Sequence, residues 1–447
     1  MESKKWTQWR ARGSPKKSET SISDRIPRKI IRSCLTVLIV CNFLPLSHAD
    51  GPPSGWRQVN EDGFVSGLGP TNDINLFVFD GKLYARNANG FFRMNNPITK
   101  SWTKLTPPNP PSGPGPTPGK LIVFGDYLYA EYGNELWWIQ KGNDPNGPQW
   151  HKVSSTPVSP YPMTIFAGRI YGVLYTSWDT FQIWWTPHIG VNSAWWTLGA
   201  DNSFGDPTNN TSLDILIVYN GHIYAGVGTL GGTYGDPTDY GTGVEIWEST
   251  TGSAGTWSQV NVDGFGTLFQ GCVYQGTPNE VCYFPIHQVI GSAAVYQAPW
   301  DSKEYLYVGT KSHYGAEVWR YDGTGVSGWT NVTPPWAGPF PIEGSHQPGR
   351  NEDMGVFNGQ LCLAEGFPTA NLGKYDGTNW SKVITGPAFA GLPHPLSPHI
   401  IRLCAMAALK GKLYVSAGAN VSGDQGDQVW GYPFITIVPT YIPLLLD

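Results

Sequence analysis

The sequence carries little charge. Asp, Glu, Lys and Arg make up 14% of it, whereas about 25% is usual in soluble domains. This composition, with 20 Trp, 22 Tyr and 55 Gly, argues against a disordered or mainly helical chain and favours an all-β fold with many turns. Catalytic signatures are also missing: there is no G-x-S-x-G, no H-E-x-x-H and no glycine-rich phosphate loop. Sequence motifs therefore assign no reaction to this chain.

No apolar run reaches the ~20 residues that a membrane span requires. The most apolar run, SCLTVLIVCNFLPL, follows a segment rich in Lys and Arg and precedes Ser47-His48-Ala49. This order predicts a signal peptide over residues 1–49, and no transmembrane span in the mature chain. An uncleaved signal anchor is the alternative. We therefore expect a secreted or cell-surface protein. Without the basic segment the chain is strongly acidic, which argues against nucleic acid as a partner.

Cysteine is scarce. Four cysteines lie beyond the signal segment, and an even number in an exported chain suggests disulfides. Cys272 and Cys282 bracket a turn signal, so we predict a bond between them. Cys362 and Cys404 are then paired by elimination. The C-x-x-C spacing that would indicate a metal site is absent.

A repeated unit dominates the rest of the chain: an apolar strand, a glycine-containing turn, and then Leu-Tyr or Ile-Tyr with small residues. Its aligned positions are Tyr84, Tyr129, Tyr171, Tyr224, Cys362, Tyr307 and Tyr414. A third strand carries Glu or Gln, an aliphatic residue and Trp, at Trp137, Trp184, Trp247, Trp319 and Trp430. A fourth strand begins with Trp, at Trp102, Trp150, Trp195, Trp257, Trp329 and Trp380. Seven such units of four strands predict a β-propeller, with the repeated tryptophans packed between blades.

The seventh unit lacks a fourth strand, and the missing strand lies at the other end of the chain. Residues 56–60, WRQVN, match residues 257–261, WSQVN. An open ring would expose two strand edges, so we predict that the N-terminal strand completes the last blade. The fold class is therefore all-β: a seven-bladed β-propeller of four-stranded blades over residues 50–434, followed by an apolar C-terminal tail over 435–447.

The stretch GTKSHYGAEVWRYDGTGVSGWTNVTP resembles kelch-type repeats, and the units are also similar to repeats of exported bacterial propeller proteins. The Gly-Gly doublet typical of kelch repeats is missing, so the resemblance is kelch-like; it covers about residues 56–432. It implies the propeller fold and surface exposure. It implies no reaction, because propellers include both enzymes and binding modules.

Loop lengths predict which face of the ring binds a ligand. The turns between first and second strands are short, except at Gln297–Glu304, and the long loops share the opposite face. Long loops on a rigid scaffold commonly carry binding sites. The candidate ligand-binding residues in two of these loops are Tyr234, Asp236, Asp239, Tyr240, His313 and Tyr314. Flat aromatic side chains beside carboxylates suit a sugar, although ordinary loop chemistry would also explain them.

Acidic residues recur just ahead of the innermost strands, and Asp214, Glu352 and Asp353 are added to the candidate ligand-binding residues. At the mouth of the central channel they could hold a hard cation such as Ca²⁺, or they could cap loop backbone. No cofactor is predicted beyond that possible Ca²⁺. Histidines near the same face could instead ligate a metal: His287, His313, His346 and His399.

Three functions remain open. The first is a monomeric, secreted or cell-surface, non-enzymatic binding protein whose partner is a carbohydrate or a surface protein. The second is a polysaccharide-active enzyme, a lyase or glycosidase, working at the channel mouth. The third is a structural surface protein.

Overall fold

The computed structural model describes residues 55–61, 64, 74–105, 121–132, 135–145, 150–152, 161–177, 180–186, 196–228, 243–266, 268–270, 283–285, 289–312, 316–336, 349–366, 371–384, 401–419 and 427–433. The predicted signal segment and the C-terminal tail lie outside these residues.

Seven four-stranded antiparallel blades form a ring. The first strand among the described residues is β1 (Arg57–Gln58). Blade 1 consists of β2 (Asn75–Phe79), β3 (Lys82–Asn87), β4 (Gly90–Asn96) and β5 (Ser101–Leu105). Blade 2 consists of β6 (Leu121–Phe124), β7 (Tyr127–Tyr132), β8 (Glu135–Gln140) and β9 (His151–Lys152). Blade 3 consists of β10 (Tyr161–Phe166), β11 (Arg169–Tyr175), β12 (Phe181–Thr186) and β13 (Thr197–Ala200).

Blade 4 consists of β14 (Ser212–Tyr219), β15 (His222–Gly228), β16 (Glu245–Ser249) and β17 (Trp257–Gln259). A separate hairpin follows, β18 (Leu268–Gln270) with β19 (Tyr283–Pro285). Blade 5 consists of β20 (Val289–Tyr296), β21 (Tyr305–Ser312), β22 (Val318–Tyr321) and β23 (Trp329–Asn331). Blade 6 consists of β24 (Gly349–Phe357), β25 (Gln360–Gly366), β26 (Asn371–Tyr375) and β27 (Trp380–Ile384). Blade 7 consists of β28 (Ile401–Leu409), β29 (Lys412–Ala419), β30 (Gln428–Tyr432) and β1.

Helix is almost absent from the described residues. Short 3-10 turns cover Asn202–Gly205, Asp263–Gly266 and Val326–Gly328, and no described helix is long and apolar enough to cross a membrane.

The predicted ring closure is confirmed. Strand β1 pairs with β30, with Gln58 opposite Trp430. Asn60 fixes this pairing: its Oδ1 accepts a 2.6 Å hydrogen bond from Val429 N, and its Nδ2 donates to Asp427 O at 2.9 Å. Because the side chain is fully buried, these bonds satisfy polar groups that water cannot reach.

Blade 4 contains the same arrangement, as the sequence match predicts. There Asn261 Oδ1 accepts from Ile246 N at 2.6 Å, and its Nδ2 donates to Val244 O at 3.1 Å. The repeated Val-Asn pair therefore ties a fourth strand to the start of the third strand of its blade.

Four of the fourth-strand tryptophans link their blade to the one before it, whereas Trp150 of blade 2 donates to Pro145 O of its own blade at 2.8 Å. The indole Nε1 of Trp257, Trp329 and Trp380 donates to the backbone oxygen of Gly199, Val260 and Val332, respectively, at 2.6–2.8 Å. Trp102 makes the same bond to Val59 O across the closure. Each acceptor lies three residues after the preceding blade's tryptophan. This register assigns the blade 3 position to Trp196, so the predicted Trp195, outside the described residues, is off by one.

Four third-strand tryptophans are held from within their own strand. Residues i and i+2 of a strand share a face, and in these four motifs the Glu or Gln accepts the indole N–H of its Trp; the Nε1 of Trp137 has no hydrogen-bond partner among the described residues. Glu245 accepts from Trp247 at 2.8 Å and Glu317 from Trp319 at 3.0 Å. Gln182 and Gln428 do the same for their tryptophans.

A phenylalanine from the preceding blade covers two of these tryptophans. Phe204 stacks on Trp247 with centroids 4.7 Å apart, and Phe265 stacks on Trp319 at 4.6 Å. Both phenylalanines have left-handed φ within a run of such residues, a conformation that a side chain other than glycine adopts at some energetic cost. The stack between blades holds them there, and it confirms the predicted packing between blades for Trp247 and Trp319.

The predicted Cys362–Cys404 disulfide is wrong: neither cysteine forms one. Cys362 packs in the core between blades 6 and 7, with Leu372, whereas Cys404 packs against the core between blades 7 and 1, with Ile74. They lie on opposite sides of blade 7, so their sulfur atoms cannot meet.

The chain between blades 4 and 5 contains the additional β18–β19 hairpin. Cys272 and Cys282 lie between these two strands, outside the described residues, and their disulfide stays a prediction.

Candidate functional site

The two faces of the ring differ in their connections. Five blades join their first and second strands by two residues that both have left-handed φ, the geometry of a type I′ hairpin turn. These turns are Asp80-Gly81, Ala167-Gly168, Asn220-Gly221, Asn358-Gly359 and Lys410-Gly411. Blade 2 uses Gly125-Asp126, and blade 5 uses the longer connection 297–304. We call this side the short-turn face.

The opposite side, the long-loop face, carries the extended connections. Residues 229–244 join β15 to β16, residues 332–348 join β23 to β24, and residues 385–400 join β27 to β28. Six predicted ligand-binding residues lie in these or neighbouring loops, outside the described residues: Tyr234, Asp236, Asp239, Tyr240, His313 and Tyr314. The strand ends that carry the loops, and the predicted carboxylates, are described.

Asp214 joins blades 4 and 5. Leu213 and Ile215 pair with successive residues of β15, so Asp214 is the extra residue of a β-bulge, a feature that re-aims a side chain. Its Oδ2 accepts from Ile290 N of blade 5 at 2.8 Å, and its Oδ1 accepts from Ser212 Oγ at 2.8 Å. The carboxylate therefore binds the inner strand of the next blade.

Glu352 joins blades 5 and 6. It is the extra residue of a bulge in β24, and its Oε2 lies 3.0 Å from Lys311 Nζ of blade 5. The Glu352 side chain is 3% exposed and that of Lys311 is 24% exposed, so this ion pair is shielded from water more than a surface pair. Directly beside it, Ser312 of β21 pairs with Gly349 of β24, which joins the two blades through their backbones.

A glycine makes this close approach possible. Gly291 is the bulge residue of β20, the position that Asp214 and Glu352 occupy in their strands. A Cβ atom at Gly291 would lie 1.8 Å from Asn351 O of blade 6, so any other residue would force the two inner strands apart.

Asp353 joins blades 6 and 7. Its Oδ2 accepts from Met406 N of blade 7 at 2.6 Å, and its Oδ1 accepts from Met354 N at 2.8 Å. Burial raises the pKa of Asp353 to about 6, and the nearby charge of Glu352 adds to the rise, although the two N–H donors oppose it.

The three carboxylates thus brace three successive seams beneath the long-loop face. Asp214 and Asp353 bind backbone N–H groups, as in the loop-capping role that was the alternative to a cation site. The N–H groups that they bind, however, belong to the next blade and not only to their own loop. Among the residues that the structure describes, no group of three His, Cys, Asp or Glu converges to hold a metal ion. Of the four histidines considered as metal ligands, none is in a described position.

A fourth buried carboxyl was not anticipated from the sequence. Glu365, near the end of β25, is 6% exposed. Its Oε2 accepts from Asn371 Nδ2 at 2.9 Å and from Trp336 Nε1 at 3.2 Å. Burial raises the pKa of Glu365 to about 7, although both donors and the charge of Lys382 oppose the rise. The sequence does contain a signal for it, because the sixth unit lacks the third-strand tryptophan of the other units. Gly373, which pairs with Leu363, occupies that position.

No protein family model matches the sequence, and no curated protein matches it. Solved structures resemble it in fold. "YCF48 bound to D1 peptide" is 11% identical, with a TM-score of 0.48 and coverage of 87% of this chain and 99% of that chain. A "polysaccharide lyase Uly1" is 10% identical, with a TM-score of 0.47 and coverage of 87% and 93%. The "WD40 beta propeller domain of Doa1" is 12% identical, with a TM-score of 0.42 and coverage of 84% and 97%. Similarity at this level assigns no function.

Proposed function

We propose that this chain is a secreted or cell-surface binding protein, and that its long-loop face holds a carbohydrate over blades 4 and 5. The observation that carries the proposal is the difference between the two faces. Tight turns leave one face with little concave surface. The other face places long connections on strands that are braced against one another.

The roots of the two candidate loops support this location. Gly228, the last residue before the loop 229–242, accepts bonds at its backbone oxygen from Thr211 N at 3.0 Å and Ser212 Oγ at 3.2 Å. Ser312, the last residue before His313, is held by its pairing with Gly349. The two loops therefore start from neighbouring blades whose seam Asp214 closes. A rigid base of this kind lowers the ordering cost of binding.

The residue types of the loops favour a carbohydrate. Tyr234, Tyr240 and Tyr314 offer flat apolar faces with a hydroxyl at the edge, which suits the apolar face of a sugar ring. Asp236 and Asp239 can accept hydrogen bonds from sugar hydroxyls. A surface protein is the alternative partner with the same location. Ca²⁺ bound by such oxygen ligands also remains a proposal.

A polysaccharide array tests the proposal when it is read twice, once for binding and once for new reducing ends or unsaturated products. We expect binding without products. Tyr240→Ala and His313→Ala should each weaken binding by at least about fivefold, or about 1 kcal/mol, with unchanged thermal stability. Trp300→Ala is the matched control, because Trp300 is an aromatic residue on the short-turn face with 59% of its surface exposed.

The alternatives predict other results. Products on the array would favour a lyase or glycosidase at the channel mouth, whereas no signal for any polysaccharide or surface protein would favour a structural protein. If Trp300→Ala abolished binding while Tyr240→Ala and His313→Ala bound normally, the ligand would lie on the short-turn face and not on the long-loop face. N-terminal sequencing of the exported protein should give Asp50 if the signal peptide is cleaved.

A further inference from the structure

Blade 3 carries an aromatic side chain at a position where the other blades have none. The position lies four residues after the repeated tyrosine or cysteine of the second strand. In the other six units it holds a small residue or lysine: Ala88, Gly133, Gly228, Lys311, Gly366 and Gly418. In blade 3 it holds Tyr175, the last residue of β11. A packing role common to all blades would recur at this position, so the Tyr175 ring has a role particular to blade 3.

Tyr175 is also more exposed than the repeated tyrosines. Its exposed fraction is 39%, whereas Tyr171, the repeated tyrosine of the same strand, is fully buried. Tyr175 and Trp300 are the two aromatic side chains among the large exposed hydrophobic residues that the structure describes. Trp300 lies on the short-turn face. Tyr175 lies at the other end of its blade, where β11 runs into the connection to β12, and therefore on the long-loop face.

The Tyr175 ring is held in one orientation at the seam between blades 3 and 4. Its Oη donates to Leu213 O of blade 4 at 3.3 Å. The ring also makes an edge contact with Phe181, its partner on β12, with centroids 6.5 Å apart. A side chain that is already ordered loses little conformational freedom when a ligand packs on it. The exposed part of the ring is therefore preorganised for contact.

Tyr175 adjoins the root of the candidate loop of blade 4. Leu213 follows Ser212 in β14, and Ser212 pairs with Gly228, where the loop 229–242 leaves the sheet. Paired strands lie about 4.8 Å apart, so the Tyr175 hydroxyl and the loop root are within about two strand spacings. The Tyr175 ring and this loop root therefore belong to one region of the long-loop face.

The surroundings of the ring suit a sugar. Thr176 and Ser177, which follow Tyr175 in the connection to β12, are exposed and place hydroxyl groups beside the ring. A flat apolar surface with hydroxyl groups at its edge matches the apolar face and the polar rim of a sugar ring. Packed sheets lie about 10 Å apart, and one sugar ring is too small to contact both this seam and the loop that follows Ser312 in blade 5.

We propose that Tyr175 is a stacking platform of the long-loop-face site, and that this site takes an extended oligosaccharide chain across blades 3, 4 and 5. The inference rests on the proposed carbohydrate-binding function. It adds the length of the ligand and a contact residue that the sequence did not single out. One sugar of the chain packs on the Tyr175 ring, and further sugars reach the loops of blades 4 and 5.

Titration calorimetry with oligosaccharides of two lengths tests the proposal. The probes are cello-, xylo-, manno- and chito-oligosaccharides, each as the disaccharide and the hexasaccharide. The unaltered chain should bind the hexasaccharide of at least one series, and should bind it more tightly than the disaccharide. Tyr175→Ala should weaken hexasaccharide binding at least about fivefold, the loss expected for a residue in direct contact. Tyr175→Phe keeps the ring and loses only the hydroxyl, so its binding should stay within about twofold.

The controls separate a contact from a structural role. Trp300→Ala, an exposed aromatic change on the opposite face, should leave hexasaccharide binding unchanged. Equal losses in Tyr175→Phe and Tyr175→Ala would show that Tyr175 acts through its bond to blade 4 and would overturn the proposal. Equal affinity for disaccharide and hexasaccharide would also overturn it.

Failure of this inference is distinct from failure of the proposed function. Normal hexasaccharide binding in Tyr175→Ala, together with weakened binding in Tyr240→Ala, would overturn the role of Tyr175 and leave the carbohydrate site in place. No binding of any probe by the unaltered chain would overturn both.

Discussion

The seams on the two sides of blade 5 are both filled by a large aromatic side chain, but different residues supply it. Between blades 4 and 5, Phe265 stacks on Trp319, whose indole donates to Glu317. Between blades 5 and 6, the tryptophan position is Gly373, and Trp336 from the preceding connection lies over it, 3.0 Å from where a Cβ would be. At both of these seams a large aromatic side chain fills the space between the blades, and an indole N–H donates to a buried or partly buried carboxylate. The tryptophan comes from the later blade in the first seam and from the connection after the earlier blade in the second, so either side of a seam can supply it.

The two seams also differ in how deeply the carboxylate that accepts the indole N–H is buried. Glu317 is only partly buried, and its carboxylate also accepts from Asn331 at 2.9 Å. Glu365 belongs to the second strand, deeper in the blade, and its Oε1 has no hydrogen-bond partner among the described residues. The variant seam therefore contains a carboxyl group that burial disfavours in its charged form.

The largest expected effect is on the regular seam. Trp319→Ala removes a stacked aromatic and its hydrogen bond, and we expect a loss of about 3–5 kcal/mol in the free energy of unfolding. Urea unfolding measures it. Trp300→Ala removes the same side chain from an exposed position and should cost far less. Equal losses would show that the seam stack does not stabilise the ring.

The next effect is the contribution of the variant seam to the pH dependence of stability. The pKa of Glu365 is raised to about 7 from an ordinary 4.5, so the folded state holds this proton more tightly than the unfolded state. Its contribution is greatest below pH 4.5 and is lost as the pH rises through 7. Glu365→Gln stays neutral, so it should reduce the loss of stability between pH 4.5 and 8.5 by up to about 3 kcal/mol. Thermal unfolding at both pH values measures this change, and an unaltered pH dependence would refute the assignment.

A smaller effect compares the closure with an ordinary blade. Asn60→Ala and Asn261→Ala each leave one buried N–H and one carbonyl without their side-chain partner, and each should cost about 1–3 kcal/mol. We expect the closure variant also to raise amide hydrogen exchange in β30, because its strand partner comes from the far end of the chain. If amide exchange in β30 of Asn60→Ala rose no more than exchange in β16 of Asn261→Ala, the closure would be no weaker than a continuous blade.

The smallest expected effect comes from substitutions that convert the seam between blades 5 and 6 into a regular seam. Gly373→Ala should cost about 1 kcal/mol, since the new methyl group presses on the Trp336 ring and overpacking is destabilising. Trp336→Phe with Gly373→Trp rebuilds the regular stack, and the double variant should be more stable than either single change. A double variant that loses the sum of both single effects would contradict the idea of exchangeable side chains.

The parts of the fold that the sequence predicted rest on local signals. Glycine-containing turns set the hairpins, and the match between WRQVN and WSQVN identified the closing strand. The i, i+2 spacing of the Glu/Gln-x-Trp motif could also have predicted the indole bonds. The roles of Asp214 and Asp353 could not be predicted, because their N–H partners lie 76 and 53 residues away in other blades. The cysteine pairing failed for a related reason: elimination takes no account of which side of a blade each thiol faces.

One measurement tests most directly whether stability and recognition belong to separate parts of this ring. Residues 229–242 are replaced by Asn-Gly, the turn that the short-turn face uses at blade 4, and the variant is compared with the unaltered chain for its melting temperature and its binding to the polysaccharide with the strongest array signal. We expect at least a tenfold loss of binding with a melting temperature within about 2 °C of that of the unaltered chain. Retained binding, or a chain that no longer folds, would contradict it.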